Sequence, residues 1–109
     1  MILDFNNIEE ASVEGFRGGY GVTHIRKFEN DLGKIIMGRL EPGASIGLHA
    51  HEEDSEIIYI VSGKADFIYE DGTESAGPGM CHYCPKGHSH QMINNGDEDI
   101  VFFAAIPRQ

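Results

Sequence analysis

The sequence has few basic residues and no long apolar segment. Eight Lys and Arg residues stand against 18 Asp and Glu residues, which gives the 109-residue chain a net charge of −10, and the eight do not cluster. Nucleic acid and anionic membrane surfaces repel a chain of this charge, so we expect neither as a partner. No run of 18 apolar residues is present, which excludes a membrane-spanning helix.

Cysteine is also scarce, and no export signal is visible. The first residues lack a basic region followed by an apolar one, and the only cysteines are Cys81 and Cys84. Together these features favour the cytoplasm. The C-x-x-C spacing is compatible with a redox or zinc site. We prefer the alternative that the two cysteines lie on a strand, where residues three apart face opposite sides and share no bond.

Glycine and β-branched residues are abundant by contrast. Fourteen glycines mark many tight turns, and no helical pattern exceeds a turn or two. Short strand-like segments at regular spacing predict an all-β sandwich or barrel. The length suits a single domain over 1–109. We expect one helical turn at 6–11 and strands at 20–28, 34–41, 48–51, 56–61, 64–70, 80–84, 90–93 and 100–106.

Two stretches carry the residues that point to chemistry. In the first, 43–63, His49 and His51 are two residues apart, so on an extended strand their imidazoles share one face. Glu56 begins an apolar strand, which would place its carboxylate at a barrel rim beside them. The second stretch, 79–94, supplies a further histidine on another strand. Imidazole nitrogens and a carboxylate oxygen are typical ligands of divalent first-row metals.

The two stretches resemble the paired motifs of the cupin superfamily, in particular its small single-domain metal-binding members of the cupin 2 conserved-barrel type. The first motif is carried by Gly43, His49, His51, Glu56 and Gly63. The second is carried by Gly79, Pro85, Gly87, His90 and Asn94. The resemblance implies a small double-stranded β-barrel of the jelly-roll type with minimal helix. It makes 1–109 one cupin domain, with motif 1 at 43–63 and motif 2 at 79–94.

The resemblance also implies a ligand set and a cofactor. The family's ligand positions fall on His49, His51, Glu56 and His90. They imply one divalent transition metal per chain, with Mn, Fe, Ni, Zn and Cu all suited to these ligands. Four protein ligands on a six-coordinate metal leave two adjacent positions for a bidentate oxygen ligand. The alternative is a metal-free barrel with surface histidines. Candidate pocket walls, which core residues would resemble, are Ile58, Ile60, Met92 and Phe102.

Three histidines fall outside this ligand set. His82 lies on a motif strand and, if it faces inward, is the candidate catalytic acid or base near the metal. If it faces outward it is a surface histidine, the reading that we prefer. His88 forms a rival H-x-H pair with His90, although a solvated loop position suits it better. His24 is read as an ordinary strand residue.

Fold does not give the reaction, so two function classes stay open. The first is a metal-dependent enzyme acting on a small polar or carboxylate-bearing molecule, with isomerase, decarboxylase or dioxygenase chemistry. The alternative is a non-catalytic small-ligand-binding or sensor module; no second domain is visible, which favours the enzyme.

We also expect a homodimer, because both faces of the strand 56–61 are apolar and the outer one needs a partner or the N-terminal segment.

Overall fold

The chain forms an all-β fold of two antiparallel sheets, as a computed structural model of residues 1–109 shows. Its strands are β1 (Ala11–Glu14), β2 (Val22–Asn30), β3 (Gly33–Leu40), β4 (Ser45–Ala50), β5 (Glu56–Ser62), β6 (Ala65–Tyr69), β7 (Gly72–Ala76), β8 (Cys81–Cys84), β9 (Ser89–Ile93) and β10 (Ile100–Pro107). Short 3₁₀ turns occupy Phe5–Asn7 and Phe16–Gly18. Neither turn has the length or the hydropathy that crossing a lipid bilayer requires.

The strand order confirms the predicted double-stranded barrel of jelly-roll type. One sheet has the order β1-β2-β3-β10-β5-β8, and the other has the order β4-β9-β6-β7. After β3 the chain passes repeatedly from one sheet to the other, so strands close in sequence face each other across the interior. As a result β4 and β9 are direct neighbours in one sheet, while β5 lies in the sheet opposite.

The interior is filled by alternate residues of the long central strands. Along β10 the buried positions are Ile100, Phe102, Ala104 and Ile106, with half-buried residues between them. This period of two follows from strand geometry, because successive side chains point to opposite faces of the sheet. Gly38 on β3 lies directly under the Phe102 ring, since a Cβ at Gly38 would lie 2.2 Å from Phe102 Cζ. The missing side chain makes the room in which Phe102 packs.

The structure corrects two of the predicted elements and adds two strands. The helical turn expected at 6–11 spans only Phe5–Asn7, and Asp4 caps it. No bounds were predicted for β1 or β7; both are short edge strands in which most residues are exposed, so they carry no apolar alternation. β4 begins at Ser45 and ends at Ala50, which places His51 just beyond the strand.

The turn residues of both motifs have structural roles. Gly43, Gly63, Gly79 and Gly87 have φ angles of 78°, 84°, 85° and 88°, which other residues rarely adopt. Asn94 is buried, and its Nδ2 donates to the carbonyls of Leu40 (2.9 Å) and Glu98 (2.8 Å). These contacts tie the turn after β9 to the end of β3.

The two cysteines lie on opposite faces of β8. Both are free; Cys81 is exposed and Cys84 is buried. Burial raises the pKa of the Cys84 thiol to about 11, so this sulfur is a poor nucleophile and a poor ligand at neutral pH. The geometry therefore agrees with the strand interpretation of the C-x-x-C spacing.

Candidate metal centre

Four side chains from both sheets converge at one point of the barrel interior. His49, His51, Glu56 and His90 offer ligand atoms that all lie within 4.8 Å of one another. The Nε2 atom of His90 is 3.0 Å from Nε2 of His51 and 3.2 Å from Nε2 of His49. Glu56 Oε1 lies 2.9 Å from Nε2 of His90 and 3.1 Å from Nε2 of His51. It is 3.9 Å from His49 Nε2.

Strand pairing brings these residues together. His49 on β4 and His90 on β9 are register partners, so their side chains leave the sheet side by side. A register shift between Ile46 and His49 marks an irregularity in β4 just before the first ligand. Glu56 is the first residue of β5 and reaches the same point from the opposite sheet. His51 is fixed by backbone hydrogen bonds to the loop before β9, with its N–H donating to His88 O (3.0 Å).

The outer nitrogens of His49 and His51 are both held by groups that only accept hydrogen bonds. His49 Nδ1 donates to the carbonyl oxygen of Gly47 at 2.7 Å. His51 Nδ1 donates to the carboxylate of Asp54 at 2.6 Å. A neutral imidazole that donates from Nδ1 carries its lone pair on Nε2. Both Nε2 lone pairs therefore face the common point.

His90 is held in the same way, but through a second histidine. Behind it lies His82, whose Nδ1 donates to the carboxylate of Glu74 at 2.6 Å. That leaves His82 Nε2 as the acceptor for His90 Nδ1, at 3.0 Å. The chain of contacts fixes the His90 tautomer with its lone pair also on Nε2. The four side chains therefore present three lone pairs and a carboxylate to one point.

His82 itself is fully buried and does not line the cavity. Its ring stacks on Phe67, with centroids 3.9 Å apart and planes at 11°, and on the ring of His90 at 5.1 Å. The position is not the surface site that we preferred, and it does not face the open cavity. Burial lowers the pKa of His82, which favours the neutral ring that this hydrogen-bond chain requires. The geometry makes it a support for His90.

The two supporting carboxylates were missed from the sequence. Asp54 lies three residues after His51, and a carboxylate at that distance in the loop is a signal that sequence reasoning could have used. Glu74 gives no such signal, because it lies on an exposed edge strand eight residues from His82. Only the folded register shows its contact.

The arrangement fits a divalent cation. With nothing between them, lone pairs and a carboxylate at 2.9–3.2 Å would repel one another. An ion bound at about 2.1 Å with ligands at right angles separates neighbouring donor atoms by about 3.0 Å. Burial raises the pKa of Glu56, but when no ion is bound and the Nε2 atoms of His51 and His90 carry protons, the hydrogen bonds they donate outweigh burial and bring that pKa to about 2. Burial lowers the pKa of His49, so both groups favour the form that binds metal.

A cavity with apolar walls adjoins these four side chains. Three of the expected wall residues, Ile58, Met92 and Phe102, line it, whereas Ile60 is buried in the core and is not a lining residue. Five further apolar side chains complete the walls: Phe16, Ile25, Ile36, Ile46 and Ile106. The remaining lining residues are two cations, Arg17 and Lys34.

His24 and His88 lie outside the centre. His24 on β2 contacts Glu41 (2.6 Å) and Ser12 (2.8 Å). The His88 side chain is 41% exposed and contacts Glu70 and the hydroxyl of Tyr69, each at 2.8 Å. Of the two H-x-H pairs in the sequence, only the one formed by His49 and His51 enters the cluster.

Comparisons with known proteins agree with this picture. The family model described as Cupin domain matches residues 36–106. An oxalate-binding protein of Thermotoga maritima is 31% identical over 97% of this chain and 93% of its own length. The crystal structure of a predicted oxalate decarboxylase from Thermotoga maritima superposes with a TM-score of 0.93 at 27% identity, covering 100% of both chains. A glucose-6-phosphate isomerase of Thermococcus onnurineus is 31% identical over 54% of this chain but only 34% of its own length.

Proposed function

Because this chain belongs to the cupin family, we propose that residues 1–109 form one cupin domain that binds a small carboxylate at a divalent transition metal. The ligands of that metal are His49, His51, Glu56 and His90. The observation that supports this most directly is the set of three Nε2 lone pairs and one carboxylate aimed at a single point beside a cavity. When bound, the ion supplies positive charge that holds an oxygen ligand.

Binding is favoured over catalysis by the composition of the cavity. Apart from the four ligands, its only ionisable lining groups are Arg17 and Lys34, so no carboxylate or imidazole is placed as a general base. His82 reaches the centre only through His90. The relative that matches over nearly the whole chain is named an oxalate-binding protein. A small carboxylate such as oxalate is therefore the proposed ligand class.

A metal-dependent enzyme acting on the same carboxylate is the second candidate. It is favoured by the likeness over the full chain to a structure described as a predicted oxalate decarboxylase. In that case His82 is the residue outside the ligand set that would accept a proton from His90 Nδ1 at its own Nε2. If the protein only binds its ligand, His82 orients the ring of His90.

One calorimetric experiment tests both candidates. We expect oxalate to bind the metal-loaded protein and to lose more than about 100-fold in affinity when a chelator removes the metal, because the main attraction for the anion is then gone. Glucose 6-phosphate serves as the comparison ligand, and formate release from oxalate is followed in the same samples. Equal oxalate affinity with and without metal would refute the proposal; formate release would establish the enzyme instead.

A homodimer forms part of the proposal. The outer face of β5 presents Ile57, Tyr59 and Val61, which are 39%, 42% and 46% exposed, and Tyr83 on β8 extends this face. The N-terminal segment does not cover it, since Phe5 packs instead on Phe103 of β10. Sedimentation at micromolar concentration should give twice the 12.0 kDa chain mass. Tyr59→Glu should shift the protein toward monomer, and a wild-type protein that is only monomeric would contradict the dimer.

A further inference from the structure

Two basic residues of the cavity have no acidic partner. Lys34 occupies an inward-facing position of β3, followed in the same phase by buried Ile36, and it is itself half-buried. Arg17 reaches the cavity from the turn Phe16–Gly18. The other arginines, and Lys27, form ion pairs with Glu10, Glu29 or Asp99. A chain with 18 acidic residues thus leaves both cations of its cavity unneutralised.

Nearby carboxylates do not neutralise Lys34. Glu29 is its register partner on β2, yet the Glu29 carboxylate contacts Lys27 (3.5 Å) and Arg108 (3.5 Å) instead. An outer groove continues the cavity past Arg17 and Lys34, and it adds one carboxylate, Glu9, and one further cation, Lys27. The region around both cations is therefore positive in a protein whose net charge is −10.

The segment that carries Arg17 is fixed by close backbone contact with β4. A Cβ at Gly47 would lie 2.2 Å from Arg17 O, and a Cβ at Gly19 would lie 2.1 Å from Ser45 O. Only glycine at both positions lets the two backbones meet. Arg17 has a φ of 55°, a conformation that non-glycine residues adopt uncommonly and that concentrates at binding sites. The same Gly47 accepts the hydrogen bond from His49, so this segment and the metal centre share one support.

Strand register sets the distance between these cations and the metal centre. Lys34 on β3 pairs with Ile106 on β10, and the neighbouring Ala105 pairs with Ile57 on β5. Lys34, Ile106 and Glu56 therefore lie in one row across three adjacent strands. Two strand spacings separate the backbones of Lys34 and Glu56 by roughly 10 Å. An anion held at the metal and a second anionic group near Lys34 would be joined by a short chain along the apolar walls.

We propose that Arg17 and Lys34 form a second anion-binding subsite, and that the ligand is a dicarboxylate longer than oxalate with a short hydrocarbon chain between its carboxylates. One carboxylate binds at the metal centre and the other at the two cations. Ile25 and Ile36, which line both the cavity and the outer groove, contact the hydrocarbon part. The inference rests on the proposed function, because the first carboxylate needs the metal.

The test is calorimetry on the metal-loaded full chain with diacids of two to six carbons and with monoacids of the same lengths. We expect a diacid of four to six carbons to bind at least about tenfold more tightly than its monoacid, as one added charge-assisted hydrogen bond predicts. Lys34→Met and Arg17→Gln should each lower this diacid-to-monoacid ratio about tenfold, and Arg17→Lys should restore part of it.

Lys64→Met is the matched control. Lys64 is exposed, and its substitution removes one positive charge at a position away from the cavity. Its diacid-to-monoacid ratio should equal that of the wild type, and circular dichroism checks that every variant is folded. If monoacids bind but no diacid is preferred, or if the ratio is unchanged in both variants, the subsite is refuted while the proposed function stands. If the metal-loaded protein binds no carboxylate at all, both fail together.

Discussion

The purified protein should carry close to one transition metal ion per chain, and the His49→Ala, His51→Ala double variant should carry none. The change removes two of the four converging donors and leaves Glu56 and His90 as the only ligands. Removing a residue that only hydrogen-bonds a metal ligand already lowers metal affinity about 10- to 100-fold. Removing two of the ligands themselves should therefore lower it by more than about 100-fold. Elemental analysis after gel filtration measures the metal content directly.

His88→Ala is the control for this experiment. It removes an imidazole two residues before His90, yet His88 binds Tyr69 and Glu70 and lies outside the cluster. Its metal content should match that of the wild type. Retention of the metal by the folded double variant would show that the ion binds elsewhere, and the ligand assignment would then be wrong.

Metal affinity should fall steeply as the pH drops below about 6. A proton on Nε2 blocks the lone pair that the metal needs, and the imidazole reference pKa is about 6.5. With three histidine ligands, the decline can approach about a thousandfold per pH unit once all three compete with protons. Burial lowers the pKa of His51, but the hydrogen bonds with Glu56 and Asp54 outweigh it and raise that pKa, so protons compete with the metal at this residue from a higher pH than for an ordinary imidazole.

His49 and Glu56 respond at lower pH than His51. Burial lowers the pKa of His49, so a proton competes there only after His51. Glu56, with a pKa of about 2, stays ionised throughout. Competition with a chromophoric chelator between pH 5 and 8 measures the profile, and Asp54→Asn should move its onset to lower pH. An affinity that does not change over this range would exclude imidazole ligation.

The features that were predictable from the sequence are those with a local pattern. Continuous apolar runs of strand length define β5 and β10, and the two-residue spacing of His49 and His51 is enough to predict that their side chains share one face. β1 and β7 were missed because edge strands bury little and need no apolar run.

The features that escaped prediction depend on register or on contacts between distant segments. Glu74 meets His82 only because β7 lies at the edge facing β8 across the interior. The inward phase of His82 could not be read from a four-residue strand with polar residues on both faces. Arg17 reaches the cavity through a turn docked on β4, a placement that no spacing in the sequence encodes.

The distribution of the candidate ligands over both sheets affects how fast the bound ion exchanges and how the protein unfolds. His49 and His90 belong to one sheet and Glu56 to the other, so an ion held by all three acts as a cross-link between the two layers of the barrel. Because the unfolded chain does not hold these ligands together, the ion binds the folded state and stabilises it by mass action. Release of the ion then requires the layers to part or the imidazoles to protonate. At neutral pH the folded protein should therefore exchange its ion slowly, and its heat resistance should be set by the rate at which the two layers separate.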